Sequence, residues 1–126
     1  MITPIYVALL AILFLFLSFK TIKIRKRLQI GVGTGDNPEL LRAMRVHANF
    51  AEYVPIAVLL ILGLELLGSS LVLVHIFAVM LVVGRLFHAY GVAQVKEKLI
   101  YRQLGMVLTF SSILASSISI LYLSFA

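Results

Sequence analysis

The 126-residue chain contains no cysteine and few charged residues, which make up 13% of it. The lack of cysteine excludes a disulfide framework, a thiolate metal site and a cysteine nucleophile. The charged fraction is about half of the ~25% usual in soluble domains. This scarcity excludes a soluble globular domain, a disordered tail and a nucleic-acid-binding arm. Hydrophobic residues instead make up 62% of the chain.

Long uncharged runs predict four membrane-spanning helices in a single domain, residues 1–126. A span needs about 20 mostly apolar residues, and residues 2–19 and 103–126 carry no charge. No basic residue precedes the first run and no A-x-A site follows it, so we expect a retained span and not a cleaved signal. The predicted fold is an all-α integral membrane four-helix bundle, with helices at about residues 2–24, 38–66, 70–95 and 99–124.

Basic residues are concentrated in two short segments, residues 20–27 and 96–102, within a chain of net charge +6. Basic residues beside apolar spans usually set the orientation in the membrane and contact anionic lipid headgroups. We therefore expect membrane lipids as partners and no nucleic acid. The positive-inside rule predicts that both basic segments are cytoplasmic and that both termini are on the other side.

Several charges lie inside or at the edge of the predicted spans, where each costs about 2.5–3.5 kcal/mol at mid-span. At about 100° per residue, one stripe of helix 2 contains five polar or amphipathic side chains: Arg42, Arg45, Asn49, Glu52 and Tyr53. Arginine and glutamate together suit a zwitterionic, peptide-like ligand. The alternative is an ion pair that joins helices 2 and 3, formed by Glu52 with Arg45 or Arg85.

Helices 3 and 4 add polar residues near the same end. Arg85 and His88 are three residues apart, and Arg102 lies in the first turn of helix 4. Arg102 either reaches the headgroups or faces a pocket, where it would lower the pKa of a ligand thiol. We expect His75 to be a neutral, hydrogen-bonded histidine and Tyr90 to be an interfacial anchor. The spacing predicts no metal site.

The segment from Arg42 to Pro55 has the pattern R-x-x-R-x-x-x-N-x-x-E-Y-x-P, which fixes six positions in fourteen. It resembles the second-helix signature of the MAPEG family, the membrane-associated proteins in eicosanoid and glutathione metabolism. The length and the four-span layout are also similar, particularly to the short bacterial inner-membrane members.

The resemblance implies a homotrimer that binds glutathione, as co-substrate, between protomers near the cytoplasmic face. It implies a transferase or peroxidase acting on lipophilic electrophiles, with Arg102 as the catalytic residue that stabilises the glutathione thiolate. His47 lies off the main stripe, at a position that is glutamine in the leukotriene-forming members. The glutathione-binding residues implied by the resemblance are Arg42, Arg45, His47, Asn49, Glu52, Tyr53, Arg85 and His88.

Two departures from the family pattern leave a second function open. Val92 stands where catalytic members usually have a tyrosine, seven residues after the third-helix arginine, and the spacing to Arg102 also differs from that of the enzymes. The family also includes a non-enzymatic lipid-binding scaffold. The alternative is therefore a non-catalytic membrane protein that binds lipid or glutathione. Four-span multidrug exporters are of similar size, but they typically carry a glutamate in the first span, which residues 2–19 lack.

Overall fold

The computed structural model of the protein describes residues 1–125 as four long helices joined by short connections. These are α1 (Thr3–Leu28), α2 (Pro38–Leu66), α3 (Leu71–Ala93) and α4 (Leu99–Phe125). Each is long and apolar enough to cross a membrane. The predicted all-helical fold with four membrane spans is therefore confirmed. The trimer and the orientation of the termini stay predictions.

Polar side chains begin two of the helices. The Asn37 side chain accepts a hydrogen bond from the Leu40 backbone N–H at 3.0 Å, and a proline and Glu39 follow it in the first turn of α2. Such a cap satisfies one of the free N–H groups at a helix start. Ser70 caps α3 in the same way, through the Leu73 N–H at 3.3 Å. The loop between α1 and α2 therefore ends where the sequence predicts.

Two helix ends differ from the sequence prediction by more than one residue. α1 continues to Leu28 and not to about residue 24, and it stops where Gln29 takes a left-handed conformation with φ of 55°. Its last turn contains three basic residues, which are good helix formers and interact favourably with the helix C-terminus. α3 ends at Ala93 and not at residue 95, because Gln94 is extended.

Glycines let α3 and α4 approach until their backbones touch. A Cβ atom added to Gly105 would lie 2.5 Å from the His88 backbone nitrogen and 2.7 Å from the Gly84 carbonyl oxygen. One added to Gly91 would lie 2.6 Å from the Arg102 backbone nitrogen. Small residues are common where membrane helices pack this closely. The contact places the end of α3 directly beside the first turn of α4.

Small polar residues continue the same face of α4. Thr109, Ser112 and Ser116 are all fully buried. The Ser112 hydroxyl donates to the Phe77 carbonyl of α3 at 2.8 Å, which adds an interhelical hydrogen bond. The two helices are therefore joined by backbone proximity and by a polar contact.

At the opposite end of the bundle, a buried carboxylate joins α2 to the start of α1. Glu65, whose side chain is 5% exposed, accepts hydrogen bonds from the backbone N–H groups of Ile2 and Thr3, the latter at 2.9 Å. The free N–H groups and the dipole of a helix start favour a negative charge there. Nearby, the Tyr6 hydroxyl lies 2.7 Å from His75 Nδ1. The expected hydrogen bond of His75 is therefore present, whereas the contact of Glu65 with the start of α1 was not predicted.

We predict that Gly105→Ala destabilises the bundle by about 1–3 kcal/mol, because the added methyl group must push backbone away from backbone. The matched control is Gly63→Ala, whose new Cβ would lie 3.6 Å from Ile120 Cδ1, an ordinary contact. That change should be neutral, or stabilising by up to ~1 kcal/mol through helix propensity. Thermal unfolding in detergent, followed by circular dichroism, compares the two. Equal midpoints would show that the α3–α4 contact is not tight.

Candidate functional site

A polar cavity of about 310 Å³ opens at the end of the bundle that carries both basic segments. It lies between α2, α3, the start of α4 and the α3–α4 link, residues 94–98. Three arginines and one carboxylate line it, so its net charge is positive. The lining residues are Pro38, Leu41, Arg42, Arg45, Asn49, His88, Val92, Glu97 and Arg102. Five of the predicted site residues, from three helices, therefore share one cavity.

Glu97 of the link connects two of the cavity arginines. Its Oε2 lies 3.2 Å from Arg42 Nη1 and its Oε1 lies 3.2 Å from Arg102 Nη1. Arg42 Nη1 also donates to the Val92 carbonyl oxygen in the last turn of α3, at 3.2 Å. These contacts tie α2, α3, the link and α4 together. Sequence reasoning missed Glu97, although it is the one acid within the basic segment 96–102.

The pKa of Glu97 lies below its ordinary value of 4.5. Burial alone would raise it, because the charged form loses water. Hydrogen bonds from Arg42 and Arg102, and the charges of these two arginines, outweigh burial and favour the carboxylate. Glu97 is therefore ionised at neutral pH and balances part of the positive charge of the cavity.

Arg85 lies behind the cavity wall and orients Asn49. Its side chain is 2% exposed, and its Nη1 donates to Asn49 Oδ1 at 2.7 Å. Its Nη2 lies 3.5 Å from Met106 Sδ, and its Nε has no hydrogen-bond partner among residues 1–125. The guanidinium can only donate, so it fixes Asn49 Oδ1 as the acceptor. The Asn49 NH₂ group is then left to donate elsewhere, and Asn49 lines the cavity.

Arg45 and Glu52 form a loose pair on the surface of α2, with Nη2 and Oε1 3.8 Å apart and side chains 57% and 50% exposed. Both residues belong to one helix, and Arg85 contacts Asn49, so neither version of the expected ion pair joins α2 to α3. Glu52 lies outside the cavity lining.

Tyr53 and His47 lie beside other helices and not in the cavity. Tyr53 packs edge-on against Phe110 of α4, with ring centroids 5.3 Å apart. The His47 ring stacks on Phe14 of α1 at 4.6 Å, and its Nε2 lies 2.9 Å from the Ser18 hydroxyl. The Ser18 hydroxyl also lies 2.9 Å from the Phe14 carbonyl oxygen. A role of His47 in ligand binding stays a prediction.

The model of the MAPEG family matches residues 3–122 of the chain. The protein therefore belongs to the MAPEG family, as the second-helix signature and the four spans indicate. Among curated relatives, the inner membrane protein YecN of Escherichia coli strain K12 is 38% identical over 91 residues, which cover 72% of this chain and 70% of the relative. YecN of E. coli O6:H1 strain CFT073 matches equally well. No solved structure matches the chain significantly.

The depressed pKa of Glu97 predicts a pH-dependent contribution to stability. The ionised carboxylate stabilises the folded state fully above pH 4.5, its ordinary pKa, and this contribution is lost as pH falls through the lower pKa of the folded state. The unfolding midpoints of the wild type and Glu97→Gln should therefore differ fully above pH 4.5 and converge as pH falls through the lower pKa of the folded state. A difference that stays constant across this range would contradict the ionised contact.

Proposed function

We propose that the protein is an inner-membrane, glutathione-dependent transferase or peroxidase that acts on lipophilic electrophiles. The observation that carries this proposal is the cavity that α2, α3 and α4 share, with three arginines, Asn49 and His88 in its lining. Glutathione offers the complementary groups: two carboxylates, an ammonium, amides and a thiol.

Each polar group of the cavity suits one part of this ligand. Guanidinium groups such as those of Arg42 and Arg45 bind carboxylates through paired hydrogen bonds. Asn49 offers N–H donors to a carboxylate or an amide carbonyl, because Arg85 already occupies its oxygen. The buried Arg85 adds positive charge behind this wall. The set favours a small, peptide-like anion.

The dimensions of the cavity favour a site completed by a second protomer. Its volume of about 310 Å³ lies at the lower end of the ~300–1,000 Å³ typical of small-molecule pockets. Glu52 and Arg45 are half-exposed on the adjacent surface. In a homotrimer, which the family resemblance implies, a neighbouring chain would cover these residues. Glutathione would then lie between protomers near the cytoplasmic face, with Glu52 as the partner of its ammonium group.

Arg102 is the residue we assign to thiolate stabilisation. A cation beside a thiol lowers its pKa from about 8.5, which increases the thiolate fraction at neutral pH. The effect is stronger where water is excluded. Apolar substrates would reach this thiolate from the bilayer. In this mechanism the chain supplies charge and orientation, and glutathione supplies the nucleophile.

A non-catalytic lipid- or glutathione-binding protein is the second candidate, and two observations favour it. Val92 stands where the enzymes have tyrosine, and its side chain offers no hydroxyl to a thiolate. The Arg102 guanidinium contacts Glu97, at 3.2 Å, which neutralises its charge. A binding protein would need only the anion-binding part of the cavity.

Glutathione binding to the detergent-solubilised protein tests both candidates. We expect saturable binding at or below millimolar glutathione by isothermal titration calorimetry, weakened on the order of tenfold or more by Arg45→Ala and by Glu52→Ala. Arg27→Ala and Glu39→Ala are matched controls, because these residues form an exposed ion pair on the same end of the bundle but outside the cavity. Absence of binding by the wild type would exclude glutathione as the ligand.

Turnover distinguishes the enzyme from the binding protein. With halo-nitroaromatic compounds or lipid hydroperoxides, Arg102→Ala should lower kcat/KM on the order of 100-fold, while glutathione binding changes much less. Arg27→Ala should leave the rate unchanged. Activity that is indifferent to Arg102→Ala would remove this residue from the mechanism, and glutathione binding without any turnover would favour the second candidate.

A further inference from the structure

The α3–α4 link is held mainly by one side chain. Within the described chain, no turn hydrogen bond between backbone groups involves residues 95–97. Glu97 instead connects the link to α2 through Arg42 and to α4 through Arg102. Its side chain is 18% exposed, whereas the neighbouring Val95, Lys96 and Lys98 are exposed. The position of the link therefore depends on the two arginine contacts.

Glu97 occupies the groups that an anionic ligand needs. It is the one acidic residue in the cavity lining, and its two oxygens use one guanidinium each. A ligand carboxylate presents oxygens of the same kind to the Arg42 guanidinium that Glu97 contacts. Two carboxylates around these N–H groups would repel each other at short range. An incoming carboxylate therefore competes with Glu97 for Arg42, and because Glu97 contacts both guanidiniums, its displacement also removes the contact to Arg102.

We propose that Glu97 is an internal competitor that a ligand carboxylate displaces, so that binding releases the α3–α4 link and frees Arg102. This inference rests on the proposed function, since it concerns how the same cavity takes an anionic ligand. It also couples two events. Glu97 neutralises Arg102 until the ligand replaces it, so Arg102 becomes available to a thiol only after the ligand carboxylate has bound.

The mobility of the link provides a test that does not require turnover. The chain has no cysteine, so Val95→Cys, at an exposed link position, creates a single attachment point for a nitroxide spin label. S-methylglutathione is the probe, because it keeps both carboxylates and the ammonium but has no thiol to release the label. We expect this probe to raise the mobile fraction in the electron paramagnetic resonance spectrum saturably. Adding Glu97→Gln should raise that fraction without any probe.

Affinity provides the second measurement. Glu97→Gln should bind S-methylglutathione about tenfold more tightly than the wild type, because a competing charged contact is removed. Glu39→Gln is the matched control, since Glu39 pairs with Arg27 outside the cavity, and it should change neither affinity nor mobility. Glu97→Asp keeps the charge but is too short to reach both arginines, so it should give intermediate values.

The outcomes separate this proposal from the proposed function. If the wild type binds S-methylglutathione but Glu97→Gln changes neither affinity nor link mobility, the competition is overturned and the glutathione site stands. If S-methylglutathione has no effect while the simple dicarboxylate glutarate mobilises the link, the competition stands and glutathione is the wrong ligand. If Glu97→Gln does not fold, titration of the spin-labelled Val95→Cys chain with both probes decides. The proposal is overturned if neither S-methylglutathione nor glutarate increases the mobility of the link.

Discussion

Backbone contact between α3 and α4 determines where the candidate site forms. At Gly91 and Gly105 the two helices lie so close that a single added methyl group would overlap backbone atoms. This proximity places Arg102, in the first turn of α4, beside the last turns of α3 and next to His88. With larger residues at these glycines the helices would separate, and the two walls of the cavity would move apart with them. The chemistry of the site therefore depends on residues that have no side chains.

The cost of burying charge in a membrane explains how the arginines are arranged. Arg85, the most deeply buried, donates to Asn49 and has no carboxylate partner within the described residues. Arg42 and Arg102 share the single carboxylate of Glu97. Positive charge therefore exceeds negative charge in this half of the bundle even after all internal contacts are made. An uncompensated buried positive charge is costly, and a bound anion would offset that cost.

Much of this arrangement follows from the sequence, and the remainder depends on tertiary packing. Run lengths predict the four spans, and helical periodicity predicts that Arg42, Arg45 and Asn49 face one direction. Periodicity does not predict which neighbouring helix, if any, a given face of α2 contacts. The outward position of Glu52, at the edge of the same stripe, was therefore not predictable. Glu97 lies in a link without periodicity, which left its partners unpredictable. The sequence of α4 does indicate its packing face, because small residues recur there every three or four positions, a spacing typical of closely packed membrane helices. These residues are Gly105, Thr109, Ser112 and Ser116.

The two carboxylates near the cavity are suited to different roles because their partners differ. Glu97 is surrounded by two guanidiniums at 3.2 Å, so it has little capacity left to attract a ligand ammonium. Glu52 has one loose contact, 3.8 Å from Arg45, and is half-exposed, so it keeps that capacity. The carboxylates of a zwitterionic ligand would therefore compete with Glu97, whereas its ammonium group would form an ion pair with Glu52. A purely anionic ligand would use only the first interaction, so a requirement for both would select a peptide-like ligand over a simple anion.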